Sequence, residues 1–203
     1  MIKKILSISD INQKIKSSFY DFPLVFVFIA LTICFAFLES HKVYIFDKSF
    51  QADFFYSLFL SIAPLISLKL FVNSKKVSFV YEFILSICIT LFMVYNVLNF
   101  NDISILFLIF VNILSLVIAP FIFIKNTNKA ILFFIYDGVY AVLFALVYAV
   151  VLVLGLNAII ASIAYLFEFE TASYIYKDTA IISFIGLFPI LFLSNLSREF
   201  VYE

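Results

Sequence analysis

The sequence AILFFIYDGVYAVLFALVYAVVLVLGLNAIIASIAYLF, residues 130–167, is the longest apolar run of the chain and contains a single acidic residue, Asp137. Residues four apart lie on the same face of an α-helix, so Asp137 heads a stripe formed by Ala141, Ala145 and Ala149. Small side chains at every fourth position let two helices approach closely in lipid. We therefore predict that this helix-packing face lies inside a helix bundle.

The same run is too long for one perpendicular crossing of a membrane. At 1.5 Å per residue it would extend about 57 Å, whereas the hydrocarbon core of a bilayer is about 30 Å thick. Gly155 and Asn157 mark the predicted break. We therefore expect one span over 130–154, followed by a short interfacial or re-entrant helix over 156–167.

The composition places the whole chain in a membrane. Hydrophobic residues make up 66% of the 203 residues, and the mean hydropathy is +1.18, whereas a soluble domain is about half apolar. The expected fold is an all-α, polytopic transmembrane helix bundle that forms a single domain over 1–203, with the lipid bilayer as a partner. The formal net charge is zero, so no nucleic-acid partner is predicted.

Six membrane spans are predicted from apolar runs of about 18 residues or more. Before the first of them, the basic segment 1–21 carries Ile8, Ile11, Ile15 and Phe19 at helical spacing. That pattern predicts a short amphipathic helix on the membrane surface. The six spans are expected near residues 22–38, 54–72, 77–98, 103–124, 130–154 and 179–196.

The basic residues predict the orientation, because short cytoplasmic loops carry an excess of Lys and Arg. With the N-terminus inside, the outer loops hold only Lys42, Lys48 and Lys177 of the 13 Lys and Arg residues. The inner segments hold the rest, which are Lys3, Lys4, Lys14, Lys16, Lys69, Lys75, Lys76, Lys125, Lys129 and Arg198. Both termini are therefore expected in the cytoplasm.

The sequence contains no motif of an enzyme active site. It has no Gly-rich phosphate loop, no H-E-x-x-H, no G-x-S-x-G and no pair of histidines. No catalytic residue, no cofactor and no metal site is therefore predicted. Cys34 and Cys88 lie within apolar spans and are expected to act as small apolar side chains, and His41 is expected to be a solvated loop residue.

Asp137 is the first candidate functional residue, because a charge in hydrocarbon costs about 2.5–3.5 kcal/mol on insertion scales. One interpretation is a carboxylate that handles protons or cations. The other is a hydrogen-bond partner between helices, protonated or paired with Lys69 or a tyrosine. Polar contacts of this second kind are common in membrane bundles, and both interpretations stay open.

Two further polar residues lie inside the predicted spans, Glu82 and Asn112. Glu82 lies about one turn from Lys75 and Lys76, which favours an ion pair at the membrane interface. Lys69 lies near the end of its span and is expected to extend its ammonium group to the headgroups. Asn112 and Asn157 are expected to form hydrogen bonds between packed helices.

Three stretches of the chain resemble a family of bacterial inner-membrane proteins. They are FPLVFVFIALTICFAF after the basic N-terminus, VLFALVYAVVLVLGLNAIIASIAYLF, and the ending ISFIGLFPILFLSNLSREFVYE. The chain resembles the N-terminal part of the family called domain of unknown function four-one-five-three. That resemblance implies a multi-pass protein of the bacterial inner membrane, with no established activity and no catalytic residues. Members are usually longer, so we expect an N-terminal half, a split gene product or a short member.

Two functional classes remain open from the sequence. The first is a helix-bundle subunit or accessory protein that acts through lateral contacts with other membrane-protein chains or with a downstream half of the same domain. The alternative is a transporter or permease-like unit that uses Asp137 and helices broken at Pro64, Pro120 and Pro189. An intramembrane enzyme built on carboxylates alone has no motif to support it. The two main classes differ in whether Asp137 lines a polar cavity or is sealed between helices.

Labelling of single cysteines in intact cells tests the predicted topology. The predicted outer positions are Ser49, Asn101 and Ser173, and the predicted inner positions are Ser74 and Asn126. In a background without the two native cysteines, we expect a membrane-impermeant thiol reagent to label the outer positions only. Labelling at position 74 from outside would contradict the six-span topology.

Overall fold

The computed structural model describes residues 8–75, 79–99, 102–118, 127–168 and 173–196. Within these ranges the fold is all-α without strands, which confirms the predicted fold class. The α-helices are α1 (Ile8–Asp21), α2 (Pro23–Ser40), α3 (Lys48–Lys75), α4 (Phe79–Asn99), α5 (Asp102–Ile118), α6 (Thr127–Phe167), α7 (Ser173–Ala180) and α8 (Phe188–Asn195). A π-helical segment, Ile181–Leu187, joins α7 to α8.

Five helical stretches in the described ranges are long and apolar enough to cross a membrane. They are Pro23–Ser40, Lys48–Val72, Val80–Asn99, Phe134–Phe167 and Ser173–Asn195. The last of these, made of α7, the π-helical segment and α8, is called the sixth-span helix below. In α5, Leu106–Ile118 is a shorter apolar helix within the predicted fourth span, and residues 119–124 of that span lie outside the described ranges. The chain thus has the helices of a multi-pass membrane protein.

Local sequence signals explain where α2 begins and how the loop after it is held. Pro23 stands at the first turn of α2, where its missing N–H would have had no helical partner. After α2, the fully buried Gln51 accepts a hydrogen bond from the Ile45 N–H and donates one to the Val43 carbonyl, each 2.9 Å long. This amide therefore fixes the loop that leads into α3.

The central helix α6 is continuous over 41 residues, about 60 Å. The predicted break at Gly155 and Asn157 is wrong, and residues 156–167 continue α6 instead of forming a separate interfacial or re-entrant helix. A single glycine costs a helix only about 1 kcal/mol relative to alanine, which the flanking apolar run overcomes. The side chain of Asn157 accepts a hydrogen bond from Thr179 Oγ1, so it bonds a neighbouring helix.

The bundle core forms where α6 packs against the sixth-span helix. Ala141, Ala145 and Ala149 are fully buried, and the first two belong to the main apolar cluster. Ser183 and Gly186 of the π-helical segment are also buried. Helices α2 and α3 complete the core with larger apolar side chains such as Val25, Ile29, Leu65 and Leu70.

Pro189 explains the π-helical segment that precedes it. Proline has no N–H, so the carbonyl of Ile185 loses the donor that an α-helix would supply. The backbone hydrogen bonds instead span five residues, and the Phe188 N–H donates to the Ser183 carbonyl five residues earlier. Segments of this kind occur often at functional sites.

The two ends of the described chain meet at one end of the bundle. Helix α1 packs on α8, and Ser18 Oγ lies 3.3 Å from the Leu193 carbonyl oxygen in a buried contact. The end of α2 lies beside the first turns of the sixth-span helix, since Ser40 Oγ donates to Asp178 Oδ1 over 3.0 Å. Helix α2 and the sixth-span helix therefore run in opposite directions through the bundle.

We expect Ala145→Leu to lower the yield of folded protein, because Ala145 is fully buried where α6 packs and overpacking costs about 1–3 kcal/mol. The measurement is the amount of monodisperse protein recovered in mild detergent. Ala161→Leu makes the same substitution at an exposed position of the same helix and is expected to keep the wild-type yield. Equal yields of the two variants would show that the alanine stripe does not require small residues.

Candidate functional site

A cavity of about 560 Å³ lies between four elements of the bundle. Ligand pockets in proteins range over about 300–1,000 Å³, so this volume suits a small ligand. The walls come from α3, α5, α6 and the second half of the sixth-span helix, and every side chain in them is apolar or glycine except Asn112. The lining residues are Phe59, Leu60, Ile62, Ala63, Ile66, Ile109, Asn112, Ile113, Leu116, Val117, Phe134, Ile135, Gly138, Val139, Val142, Leu143, Phe184, Ile185, Phe188, Pro189 and Phe192.

The cavity exists because α5 and α6 make little direct contact across it. Gly138 of α6 offers no side chain to fill the gap, and a Cβ atom built there would meet nothing within 4 Å. The π-helical segment supplies Phe184 and Ile185 to another wall. Ile113 and Val139 line the cavity and are also exposed at the surface of the protein, so the cavity opens sideways between α5 and α6.

Asn112 is the polar side chain in the cavity wall. It is buried, and its Nδ2 donates a hydrogen bond to the Leu60 carbonyl of α3 over 3.2 Å. A second polar contact between the same two helices joins the hydroxyls of Ser67 and Ser115, 3.2 Å apart. Asn112 therefore forms the hydrogen bond between helices that the sequence predicts, and α5 is fastened to α3.

A buried ion pair joins α3 to α4. Lys69 Nζ lies 2.6 Å from Glu82 Oε2, and the two side chains are 14% and 5% exposed. Lys69 therefore does not extend to the headgroups, which corrects that prediction. The predicted partners of Glu82, Lys75 and Lys76, have side chains outside the described part of the structure. The pair forms because α3 ends at Lys75 and α4 begins at Phe79, which places Lys69 and Glu82 at similar heights on antiparallel helices.

Asp137 lies on α6 beside the cavity but is not among the side chains that line it. It is half-buried and engaged in a contact of its own. The residues that follow it by one, two and three turns are the buried alanines Ala141, Ala145 and Ala149. The cavity next to Asp137 is therefore an apolar space and not a polar one.

Polar groups also join the helices at the end of the bundle where α2 stops. Asp178 of α7 accepts a hydrogen bond from Ser40 Oγ at its Oδ1, and its Oδ2 lies 2.9 Å from His41 Nε2. The ring of Tyr174 packs on the His41 ring, with centroids 4.6 Å apart. His41 is exposed as predicted, but its bond to Asp178 was not predicted. Glu39 Oε2 is the one buried side-chain oxygen without a hydrogen-bond partner among the described residues.

The residues that sequence analysis missed are mostly apolar. The cavity walls contain Phe, Ile, Leu and Val, which are common throughout the chain and carry no signal of their own. Gly138 and Pro189 were the available signals, since glycine leaves space and proline widens the helix before it.

Cys34 and Cys88 are free and exposed on α2 and α4. In the described part of the chain, no group of three or more His, Cys, Asp or Glu side chains could hold a metal ion.

Comparison of the chain with protein-family models, with curated proteins and with solved structures finds no match in any of the three. The resemblance to the family called domain of unknown function four-one-five-three therefore stays a prediction.

The buried ion pair predicts an uneven response to mutation. Removing one partner of such a pair costs about 3–5 kcal/mol, whereas replacing both with apolar residues is often neutral. We expect Glu82→Leu to lower the free energy of unfolding in detergent strongly, and the double variant Lys69→Met/Glu82→Leu to recover most of that loss. Lys14→Met, at an exposed position of α1, is the control and should unfold like the wild type. A double variant less stable than Glu82→Leu alone would contradict the predicted energetic coupling between Lys69 and Glu82.

Proposed function

We propose that this chain is a helix-bundle subunit or accessory protein that acts through lateral contacts with another membrane-protein chain. The observation that carries the proposal is the outer face of α4. Five exposed side chains recur there at steps of four, three, four and three residues. They are Tyr81, Leu85, Cys88, Phe92 and Tyr95. This heptad spacing is typical of a seam between two packed helices.

The way α4 is held in the bundle supports this face as the contact site. Helix α4 packs mainly on α3, and the Lys69–Glu82 pair fixes that side. The exposed heptad stripe lies on the surface of α4 next to that side. A helix that is anchored by a buried ion pair presents its exposed surface in a defined orientation, which a lateral partner requires.

The polar residues inside the bundle also support a role in contacts over a role in transport. Asn112 bonds Leu60 of α3, Asn157 accepts from Thr179, and Lys69 pairs with Glu82. A path for ions or polar solutes needs polar groups that face a shared space. The cavity beside Asp137 has apolar walls apart from Asn112, so this cavity offers no such path.

The proposed location is the bacterial inner membrane with both termini in the cytoplasm. The distribution of Lys and Arg supports this orientation. The contact between Ser18 and Leu193 supports it as well, because it brings α1 and the end of α8 to the same end of the bundle.

Site-specific photocrosslinking in intact cells tests the proposed contact face. A photoreactive amino acid at Phe92, on the α4 stripe, is expected to give a discrete protein adduct of larger mass. The same amino acid at Phe107, an equally apolar and exposed position of α5, should give lipid adducts only. Mass spectrometry of the adducts distinguishes the two results.

Lipid adducts alone at both positions would overturn the lateral-contact proposal. Asp137→Asn then decides the transporter alternative, because asparagine keeps the shape and the hydrogen-bonding capacity but cannot titrate. If Asp137→Asn folds with normal yield but no longer supports the growth phenotype of the wild-type protein, the result would favour transport. A variant that keeps both would leave no support for a titrating role of Asp137.

A further inference from the structure

The cavity between α3, α5, α6 and the second half of the sixth-span helix has the chemistry of a hydrocarbon site. A water molecule needs two to four polar partners to occupy a cavity, and cavities lined by Leu, Ile and Phe stay dry and take up apolar molecules. Asn112 uses an N–H on the Leu60 carbonyl, so one amide is all that the walls offer to a polar ligand. Charged and sugar-like ligands therefore have no suitable partner there.

The opening of the cavity faces the apolar surface of the protein. Ile113 on α5 and Val139 and Leu143 on α6 belong both to the cavity wall and to the exposed surface. In a membrane, that surface contacts the hydrocarbon chains of lipids. A chain can therefore pass from the bilayer into the cavity without crossing water.

The spacing of α5 and α6 separates a lipid chain from a partner helix as the occupant. Cα atoms of these two helices approach within 8 Å of each other, whereas an α-helix with its side chains is about 10–12 Å across and does not fit between them. A single hydrocarbon chain is much narrower and can lie lengthwise between α5 and α6. In lipid, where burial brings no gain from leaving water, such a chain is held by van der Waals contact with walls on several sides.

We propose that this cavity binds one acyl chain of a membrane phospholipid, which enters sideways between α5 and α6. Gly138 is the specificity-determining residue, because its missing side chain provides the space beside α6. The site is independent of the contact face on α4, and either can fail without the other.

The experiment uses a tryptophan as a reporter, because the chain contains none. In Phe184→Trp the reporter lies in the cavity wall, and in Phe107→Trp it lies on the outer surface of α5. The purified full chain in detergent is titrated with a phospholipid that carries brominated acyl chains, which quench tryptophan fluorescence on contact. We expect saturable quenching in Phe184→Trp and gradual, unsaturated quenching in Phe107→Trp.

Two glycines of α6 provide the matched variants. A Cβ atom added at Gly138 or at Gly155 meets nothing within 4 Å, but only Gly138 lines the cavity. We expect Gly138→Leu to abolish the saturable quenching of Phe184→Trp, and Gly155→Leu to leave it unchanged. If Gly138→Leu does not fold, the smaller pair Gly138→Ala and Gly155→Ala is compared, and only the first should weaken the quenching.

Three outcomes would overturn the proposal. Quenching of Phe184→Trp that never saturates would show contact with bulk lipid only. Equal quenching in the Gly138 and Gly155 variants would place the chain outside the cavity. A polypeptide adduct from a photoreactive amino acid at Val142 in native membranes would show that a partner helix occupies the opening.

Discussion

The close approach of α6 to the sixth-span helix is the contact on which the rest of the bundle depends. Ala141, Ala145 and Ala149 are fully buried on α6, whereas the buried Gly186 of the sixth-span helix faces Ile33 of α2. Between helices in lipid, association comes from van der Waals packing and hydrogen bonds, since apolar burial gains nothing from leaving water. The small side chains of α6 are therefore what lets the two helices come close enough to attract each other.

The cavity appears where that close packing ends. Toward the beginning of α6 the alanine stripe gives way to Gly138 and Phe134, while the opposite helix changes from α to π geometry before Pro189. Helix α5 does not close the gap, because the polar contacts shown for it, from Asn112 and Ser115, fasten it to α3. One glycine, one proline and two polar contacts thus produce the space together.

The helices and the buried face of α6 could be predicted because both depend on local pattern. In lipid every backbone N–H and C=O must be satisfied within the helix, so an apolar run of sufficient length indicates a helix. The partner of Lys69 and the bond between His41 and Asp178 could not be predicted, since they depend on which helices are neighbours. The predicted break at Gly155 was wrong because the helix propensity of the flanking residues of α6 outweighs the cost of one glycine.

The placement of polar contacts indicates which parts of the bundle can move. Unpaired polar groups are expensive at low dielectric, so sliding α3 past α4 would separate Lys69 from Glu82, and sliding α2 past α7 would separate Ser40 from Asp178. Those helix pairs are therefore fixed in register. The walls of the cavity between α5 and α6 are almost wholly apolar, and apolar side chains can exchange neighbours without losing a hydrogen bond. The bundle thus combines a frame held by polar contacts with an apolar opening that can adapt to what fills it.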